Sequence, residues 1–276
     1  MPYAHVIDSA QSVNLKKIPT TAPKSLDKAG ALEKTTELAQ EMEELFDLMF
    51  FAGQHSLLIV LQGMDTSGKD GVIRHLSTYS HAQSSRVAPF KVPTELELSH
   101  DFLWRIHQQT PIKGQVTIFN RSHYEDVLVV RVHSFVPESE WKSRYAKINE
   151  FESWLTSSDT IVLKFFLHIS NEEQEQRLLD REKEVEKAWK LSVGDWTERA
   201  LWDDYQSAYE DAIGKCASKK APWHVVPSDK KWFRNLAVTE AIVEALRPMK
   251  KVWMKDLEDI GAKRKAELEA YRKTLK

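Results

Sequence analysis

Cysteine is almost absent from this sequence of 276 residues, in which Cys216 is the only one. A disulfide within the chain is therefore impossible, and a reducing compartment, the cytoplasm, is the simplest expectation. A lone thiol could act as a nucleophile, but residues 214–218 include no histidine that could activate it. We therefore expect Cys216 to be chemically inert.

Long hydrophobic runs and an excess of positive charge are also missing. No stretch approaches the ~18–20 consecutive apolar residues that a membrane-spanning helix requires, and residues 1–21 lack the features of a secretory signal. We therefore expect no membrane association. The formal net charge is −2, so the chain has no global basic field that would gather nucleic acid. A polyanionic substrate would have to be held by a local basic patch.

Apolar residues are plentiful, at 42% of the chain, and the length suits one globular domain. Helical patterns separate five short apolar runs, which are residues 57–61, 86–90, 116–119, 160–167 and 223–226. Continuous apolar runs of this length are typical of strands that are buried on both faces of a parallel sheet. The alternation predicts an α/β fold of three layers around a sheet of five parallel strands.

The chain divides into three predicted segments. Residues 1–30 are polar and form an arm that packs on the surface or stays loose. Residues 31–250 form the main domain, and a charged helical region at about 171–220 is the candidate for a lid. Residues 251–276 read as a solvated helical tail. Within the domain, apolar residues at helical spacing predict a helix that ends at Gly53.

A phosphate-binding loop is predicted at Gly63–Asp70, whose sequence GMDTSGKD matches the pattern G-x-x-x-x-G-K. The motif directly follows a buried strand and precedes a helical pattern, which is the setting that a phosphate loop requires. Its backbone N–H groups and the helix N-terminus would surround phosphate oxygens, and Lys69 would bring a mobile positive charge. The alternative is a glycine-rich turn with an exposed lysine.

The loop differs from ordinary phosphate loops in carrying Asp70 where Ser or Thr usually ligates Mg²⁺. Carboxylates are good ligands for hard cations, so we expect Asp65 to help bind Mg²⁺. Asp70 could serve the metal as well, or it could cap the helix that follows. The residues alone leave both roles open for Asp70.

A second polar cluster, Asn120–Asp126, follows the predicted strand at residues 116–119. Ligands bind α/β folds at the carboxyl ends of parallel strands, so this cluster is a candidate ligand site. The guanidinium of Arg121 matches phosphate geometry. The alternative is a surface turn in which charged residues happen to cluster. The predicted nucleotide-binding residues are Asn120, Arg121, Tyr124, Glu125 and Asp126.

Several segments together resemble the polyphosphate kinase 2 family, in order and over about residues 30–250. These segments are GMDTSGKDG at 63–71, Pro93–Thr94 with HDFLWR at 100–105, FNRSHYEDVLVVRVH at 119–133, LDREKEVEKAWKLS at 179–192, ALWDDY at 200–205 and APWHVVPSDKKWFRNLA at 221–237. Their agreement is more specific than any single motif. The cluster at residues 120–126 resembles the branch of the family that accepts both nucleoside monophosphates and diphosphates.

The resemblance implies a P-loop fold like that of thymidylate kinase, with a helical lid. It implies that polyphosphate runs along a basic channel between the loop and the lid, and that Arg121 contacts the transferring phosphate. Asn120 stands where such folds usually carry a carboxylate. The expected catalytic residues are Asp65, Lys69, Arg121 and Arg177. The expected phosphate-binding residues are Gly63, Ser67, Gly68, Lys69, Asp70, Arg74, Arg121, Arg177, Arg181 and Lys183, with Lys187 and Lys190 as further lid candidates.

The expected function is therefore Mg²⁺-dependent, reversible phosphoryl transfer between inorganic polyphosphate and nucleotides such as AMP, ADP, GMP and GDP, with nucleoside triphosphates among the products. We also expect a homo-oligomer, either a dimer or a tetramer. One rival is an ATP-dependent nucleotide kinase on the same fold. Another is a P-loop protein that binds a nucleotide without phosphoryl transfer, against which the paired loop carboxylates and Lys69 argue.

Overall fold

The computed structural model describes residues 2–183 and 192–275. Six strands form one sheet: β1 His5–Ile7, β2 Ser56–Gln62, β3 Ser85–Pro89, β4 Val116–Asn120, β5 Thr160–His168 and β6 Trp223–Pro227. The helices are α1 Lys28–Ala52, α2 Lys69–Thr78, α3 Glu95–Leu98, α4 Trp104–His107, α5 Val129–Val132, α6 Glu138–Ser157, α7 Asn171–Lys183, α8 Val193–Ala200, α9 Trp202–Lys215, α10 Lys231–Leu246 and α11 Lys250–Thr274.

The sheet has the order β1-β6-β5-β2-β4-β3. Its five predicted strands are all present and parallel to one another, which confirms the α/β architecture. The strand count was wrong, because β1 adds a sixth strand that pairs antiparallel with β6. β1 has only three residues, which are too few to show the alternation by which a strand could be predicted.

Side chains alternate between two apolar layers on the faces of the sheet. Leu57, Ile59 and Leu61 of β2 face the layer formed by α1, α2 and α10. Leu58 and Val60 face the opposite layer, to which α6 and α9 contribute. Since every residue of β2 is buried, the strand reads as one apolar run, and it lies at the centre of the sheet.

The N-terminal arm is tied to the sheet beyond its single strand. Leu15 is completely buried, and its carbonyl lies 3.1 Å from Nε2 of His168 at the end of β5. The hydroxyl of Thr20 donates to the carboxylate of Asp229, which follows β6. These contacts place residues 15–20 against the carboxyl ends of β5 and β6.

The helix ends obey local rules that are visible in the sequence. Gly53 ends α1 with a φ of 64°, a left-handed conformation that glycine adopts without strain. Thr94 and Glu97 form the reciprocal capping box of α3. In the described part of the chain, no helix combines the length and apolarity needed to cross a membrane.

Candidate active site

The site lies where the central strands β2 and β4 end side by side. Leu61 pairs with Asn120 in the parallel register, so the turn after β2 and the turn after β4 leave the sheet at the same edge. The first turn is the loop Gly63–Gly68, and the second begins with Arg121. Parallel pairing therefore brings together two motifs that are more than fifty residues apart in the sequence.

The loop has the backbone that a phosphate cradle requires. Gly63 and Gly68 have φ values of 151° and 108°, and Thr66 adopts 63°. Gly68 is the N-cap of α2, so the positive end of the helix dipole faces the loop. Nζ of Lys69 donates to the carbonyls of Gly63, at 2.6 Å, and Met64, at 3.2 Å. The ammonium group thus curls over the loop, where burial lowers its pKa.

Arg121 and Asp65 link the two turns. Nη2 of Arg121 lies 3.1 Å from Oδ1 of Asp65, and both side chains are partly exposed. Arg121 has a φ of 63°, which costs a non-glycine residue of order 1–3 kcal/mol and is concentrated at functional sites. This strained backbone aims the guanidinium from the end of β4 across to the loop.

Glu125 and Tyr209 enclose the same space. Burial raises the pKa of Glu125, and the positive charges of Arg121 and Lys69 oppose that shift. Burial and the nearby charge of Glu125 raise the pKa of Tyr209, on α9, well above its ordinary value. Tyr209 could not be predicted from the sequence, because the pattern of an amphipathic helix does not show whether a tyrosine faces a site or the core.

Two carboxylates of the site, Asp65 and Asp70, are the candidate ligands for the expected Mg²⁺. Asp65 is partly exposed at the loop, and Asp70 lies in the first turn of α2, where Nδ2 of Asn120 donates to it at 3.4 Å. Gly68, not Asp70, is the N-cap of that helix. No group of three or more His, Cys, Asp or Glu residues within 2–183 and 192–275 could enclose a metal alone. The few carboxylates suit Mg²⁺, which typically takes one or two carboxylates with phosphate oxygens and water.

Arg177 was expected to bind phosphate, but its guanidinium is bonded to other groups of the protein. Its Nε donates to Glu173, its Nη1 donates to the carbonyls of Thr66 and Ser67, and its Nη2 donates to the carbonyls of Ser228 and Asp229. All five N–H donors of the guanidinium are thereby used by the protein itself. In this arrangement Arg177 shapes the loop from behind and has no donor left for a phosphate.

The other predicted lid cations have different surroundings. Nη1 of Arg181 lies 2.6 Å from Oδ2 of Asp195 on α8, and both side chains are about one-fifth exposed. Lys183 is exposed at the end of α7, and Arg74 is exposed on α2. Lys187 and Lys190 lie outside the described residues. The ion pair of Arg181 therefore lies within reach of solvent.

Two of the predicted nucleotide-binding residues, Tyr124 and Asp126, have partners within the protein. Tyr124 is completely buried, and its hydroxyl donates to Glu152 at 2.7 Å in the layer beneath the sheet. Asp126 pairs with Arg144 of α6 at 2.8 Å, and burial raises the pKa of its carboxyl group to about 6. The sequence placed residues 120–126 in one cluster, but the short helix at 123–126 points successive side chains in different directions.

A cleft beside the site was not predicted. It has a volume of about 410 Å³ and opens beyond the end of β3. Its lining includes Lys91, Thr94 and Arg105, and the backbone N–H of Phe90 bonds the carbonyl of Asn120. Phe90 therefore lies between the cleft and the end of β4, where the second turn of the site begins.

Comparison with known proteins agrees with this geometry. The sequence model of the polyphosphate kinase 2 (PPK2) family matches residues 25–253. An AMP/ADP-polyphosphate phosphotransferase from Meiothermus ruber is 52% identical over 219 residues, which is 79% of this chain and 82% of that protein. An ADP-polyphosphate phosphotransferase from Rhodopseudomonas palustris is 38% identical over 98% of this chain and 97% of its own length.

A solved structure, polyphosphate kinase 2 from Arthrobacter aurescens TC1, superposes with a TM-score of 0.83. It is 40% identical and covers 88% of this chain and 89% of its own. The family match spans the phosphate loop, the second turn and the described part of the lid. This chain belongs to the polyphosphate kinase 2 family.

Proposed function

We propose that this protein transfers the terminal phosphoryl group of inorganic polyphosphate to nucleoside monophosphates and diphosphates, and that the reaction is reversible. The observation that carries the proposal is the arrangement of Lys69, Asp65 and Arg121 around one phosphate loop, in a chain of this family. The two relatives described above are named for AMP/ADP and for ADP, which supports both classes of acceptor.

The reaction forms a bond between an oxygen of the acceptor phosphate and the terminal phosphorus of polyphosphate. The bridging P–O bond breaks, and the polyphosphate chain leaves one phosphate shorter. The acceptor oxygen is already anionic near pH 7, so the transfer needs no strong general base. The protein has to align the two anions and neutralise their charge, and Lys69, Arg121 and the loop N–H groups supply positive charge for this.

Mg²⁺ fits the proposed site next to Asp65, and it would add positive charge shared between phosphate oxygens. Asp65 now accepts a hydrogen bond from Arg121. Asp65 would hold the cation, and Arg121 would then bind a phosphate oxygen instead of Asp65. The pair therefore holds both side chains in place until the substrates arrive.

A coupled assay for ATP tests the proposal. The purified protein is given AMP or ADP, Mg²⁺ and polyphosphate as the sole phosphoryl donor, and nucleotide products are measured over time. We expect both acceptors to be phosphorylated. Turnover only when ATP is the donor would instead identify a nucleotide kinase. Nucleotide binding without turnover from either donor would identify a non-catalytic P-loop protein.

Lys69→Ala is the matched control for this assay. Among the described residues, the ammonium group donates only to loop carbonyls, so its loss should leave the folded state nearly unchanged. We expect the variant to unfold at nearly the wild-type temperature and to lose nearly all turnover. Near-normal turnover with polyphosphate would remove the phosphate loop from the reaction.

A further inference from the structure

Arg234 lies behind the phosphate loop, and the proposed reaction does not yet account for it. It is on the first turn of α10, and only 3% of its surface is exposed. Nη1 is so close to Gly68 that an added Cβ there would overlap it, and Nη2 lies 2.7 Å from the position of a Cβ on Gly71. The two glycines therefore let the guanidinium lie directly against the start of α2.

This buried cation has no carboxylate partner within 2–183 and 192–275. Nε and Nη2 share one acceptor, the amide Oδ1 of the neighbouring Asn235, at 3.2 and 2.9 Å. Nη1, which points at the N-cap of α2, donates to no described group. A buried charge is ordinarily paired, because removing an ion from water costs several kcal/mol.

The surroundings add positive charge instead of balancing it. Arg177 is close enough that its charge, together with burial, lowers the pKa of Arg234 to about 10. The N-terminus of α2 carries the positive end of a helix dipole. Lys69 is the first residue of the same helix. Arg234, Arg177, Lys69 and the helix dipole thus gather positive charge around the start of α2, and the nearby carboxylates Asp65 and Asp70 act on Lys69.

We propose that Arg234 is a buried positive charge that attracts phosphate to the loop, and that it is balanced by the polyphosphate chain rather than by a carboxylate of the described residues. It acts across Gly68 and Gly71, without contact, so it is a positioning residue rather than a catalytic one. The inference rests on the proposed function, since it names a further determinant of polyphosphate affinity. The buried charge of Arg234 lowers the stability of the loop by itself, and bound phosphate offsets that loss.

The test compares Arg234→Met with Arg247→Met. Arg247 follows α10 and pairs with Glu41 and Glu244 on the surface, so its replacement changes the net charge equally but away from the loop. Thermal unfolding is measured with and without inorganic tripolyphosphate. Steady-state rates with polyphosphate are measured at several salt concentrations. Arg234→Lys, which keeps the charge, is measured in parallel.

We expect Arg234→Met to unfold, without ligand, at the wild-type temperature or above it. Its stabilisation by tripolyphosphate should shrink, its KM for polyphosphate should rise roughly tenfold, and kcat should change little. Its affinity should also depend less on salt. Arg234→Lys should recover most of the affinity, and Arg247→Met should respond to the ligand like the wild type.

An Arg234→Met protein that is unfolded, or that gains as much stability from tripolyphosphate as Arg247→Met does, would overturn the inference and assign Arg234 a packing role. If wild-type protein neither binds tripolyphosphate nor uses polyphosphate, the proposed function fails instead. ATP then serves as the loop ligand, and the same comparison of variants still decides the role of Arg234.

Discussion

At the scale of single residues, an ion pair joins the two turns of the site. Asp65 and Arg121 lie on different turns, and each is the other's partner. The strained φ of Arg121 fixes where the guanidinium points. Replacing one partner therefore changes the freedom of the other side chain, and on the proposed function we expect it to change metal activation as well.

Asp65→Asn should weaken Mg²⁺ activation. An amide oxygen is a poorer ligand for a hard cation than a carboxylate oxygen is, so we expect the Mg²⁺ concentration for half-maximal rate to rise. Rates are measured against Mg²⁺ at fixed polyphosphate and ADP. Asp259→Asn, at an exposed position of α11, is a control that removes the same charge. An unchanged titration would exclude Asp65 from the metal site.

Asn120→Asp should shift acceptor preference from AMP towards ADP. Nδ2 of Asn120 lies 3.4 Å from Oδ1 of Asp70, so the variant would place two carboxylates together at the site. Such a pair attracts a further cation, which would offset the additional negative charge of a diphosphate. We expect kcat/KM for ADP relative to AMP to rise, and a change of ~1.4 kcal/mol would be tenfold. A ratio that stays constant or moves towards AMP would refute this charge argument.

At the scale of elements, helix α7 carries two arginines one turn apart that have different tasks. Arg177 is buried and joins the loop to the segment after β6 through backbone carbonyls. Arg181 joins α7 to α8 through Asp195, whose pKa is raised by burial and by the charge of Asp65. A spacing of four residues places both arginines on one face of the helix. Their different burial decides which of them reaches solvent.

Arg177→Ala and Arg181→Ala should therefore fail in different ways. Loss of Arg177 leaves Glu173 and four carbonyls without a buried partner, which should cost about 3–5 kcal/mol of unfolding free energy. Loss of Arg181 should cost only about 0–1 kcal/mol but raise KM for polyphosphate. Denaturant unfolding and steady-state kinetics measure the two effects. Asp195→Asn, which releases Arg181 from its partner, should not raise that KM; equal behaviour of both alanine variants would disprove the distinction.

At the scale of the whole molecule, the packed layers enclose many titratable groups. Lys164 of β5 is fully buried, and its ammonium group lies 2.5 Å from Glu152 on α6. The same carboxylate accepts hydrogen bonds from Tyr124 and from Nε2 of His123. This network connects the second turn of the site to the layer beneath the sheet. Acid that destabilises this layer should therefore also disturb the site.

Stability should fall as pH is lowered from about 6.5 to about 4. Burial lowers the pKa of His75 and His224 to about 4, and it also lowers the pKa values of His123 and His168. The unfolded chain, with histidine pKa values near 6.5, binds more protons in this range, so protonation favours unfolding. Raised carboxyl pKa values act in the opposite direction: burial raises the pKa of Asp126 to about 6, and it also raises the pKa values of Glu125, Asp195 and Glu240.

Thermal unfolding between pH 7.5 and 4.5 checks this prediction. His75→Gln removes one titrating group while keeping a partner for Thr239, to which the histidine is bonded at 2.8 Å. We expect the melting temperature of the variant to depend less steeply on pH than that of the wild type. A melting temperature that stays constant from pH 7 to pH 5 would contradict the assignment of neutral histidines to the folded state.

The sequence by itself determined the five parallel strands, the phosphate loop, the end of α1, and the family. These features depend on local rules: a buried strand must be continuously apolar, and glycine is needed where φ is positive. Lys69 and Arg121 could be named because a glycine-rich turn and a strand end specify their positions along the chain. The resemblance extended these local signals to the lid and to the class of substrate.

Only the tertiary structure decided what each charged side chain contacts. Arg177, Arg181 and Arg234 are alike in the sequence, yet the first bonds backbone carbonyls and the second pairs with Asp195. The third lies against Gly68, and no carboxylate of the described residues pairs with it. The sixth strand likewise depends on an edge of β6 that residues 5–7 find only in the folded chain. The physical reason is that ion pairs and sheet edges join residues distant in sequence, so their partners and burial exist only once the layers have packed.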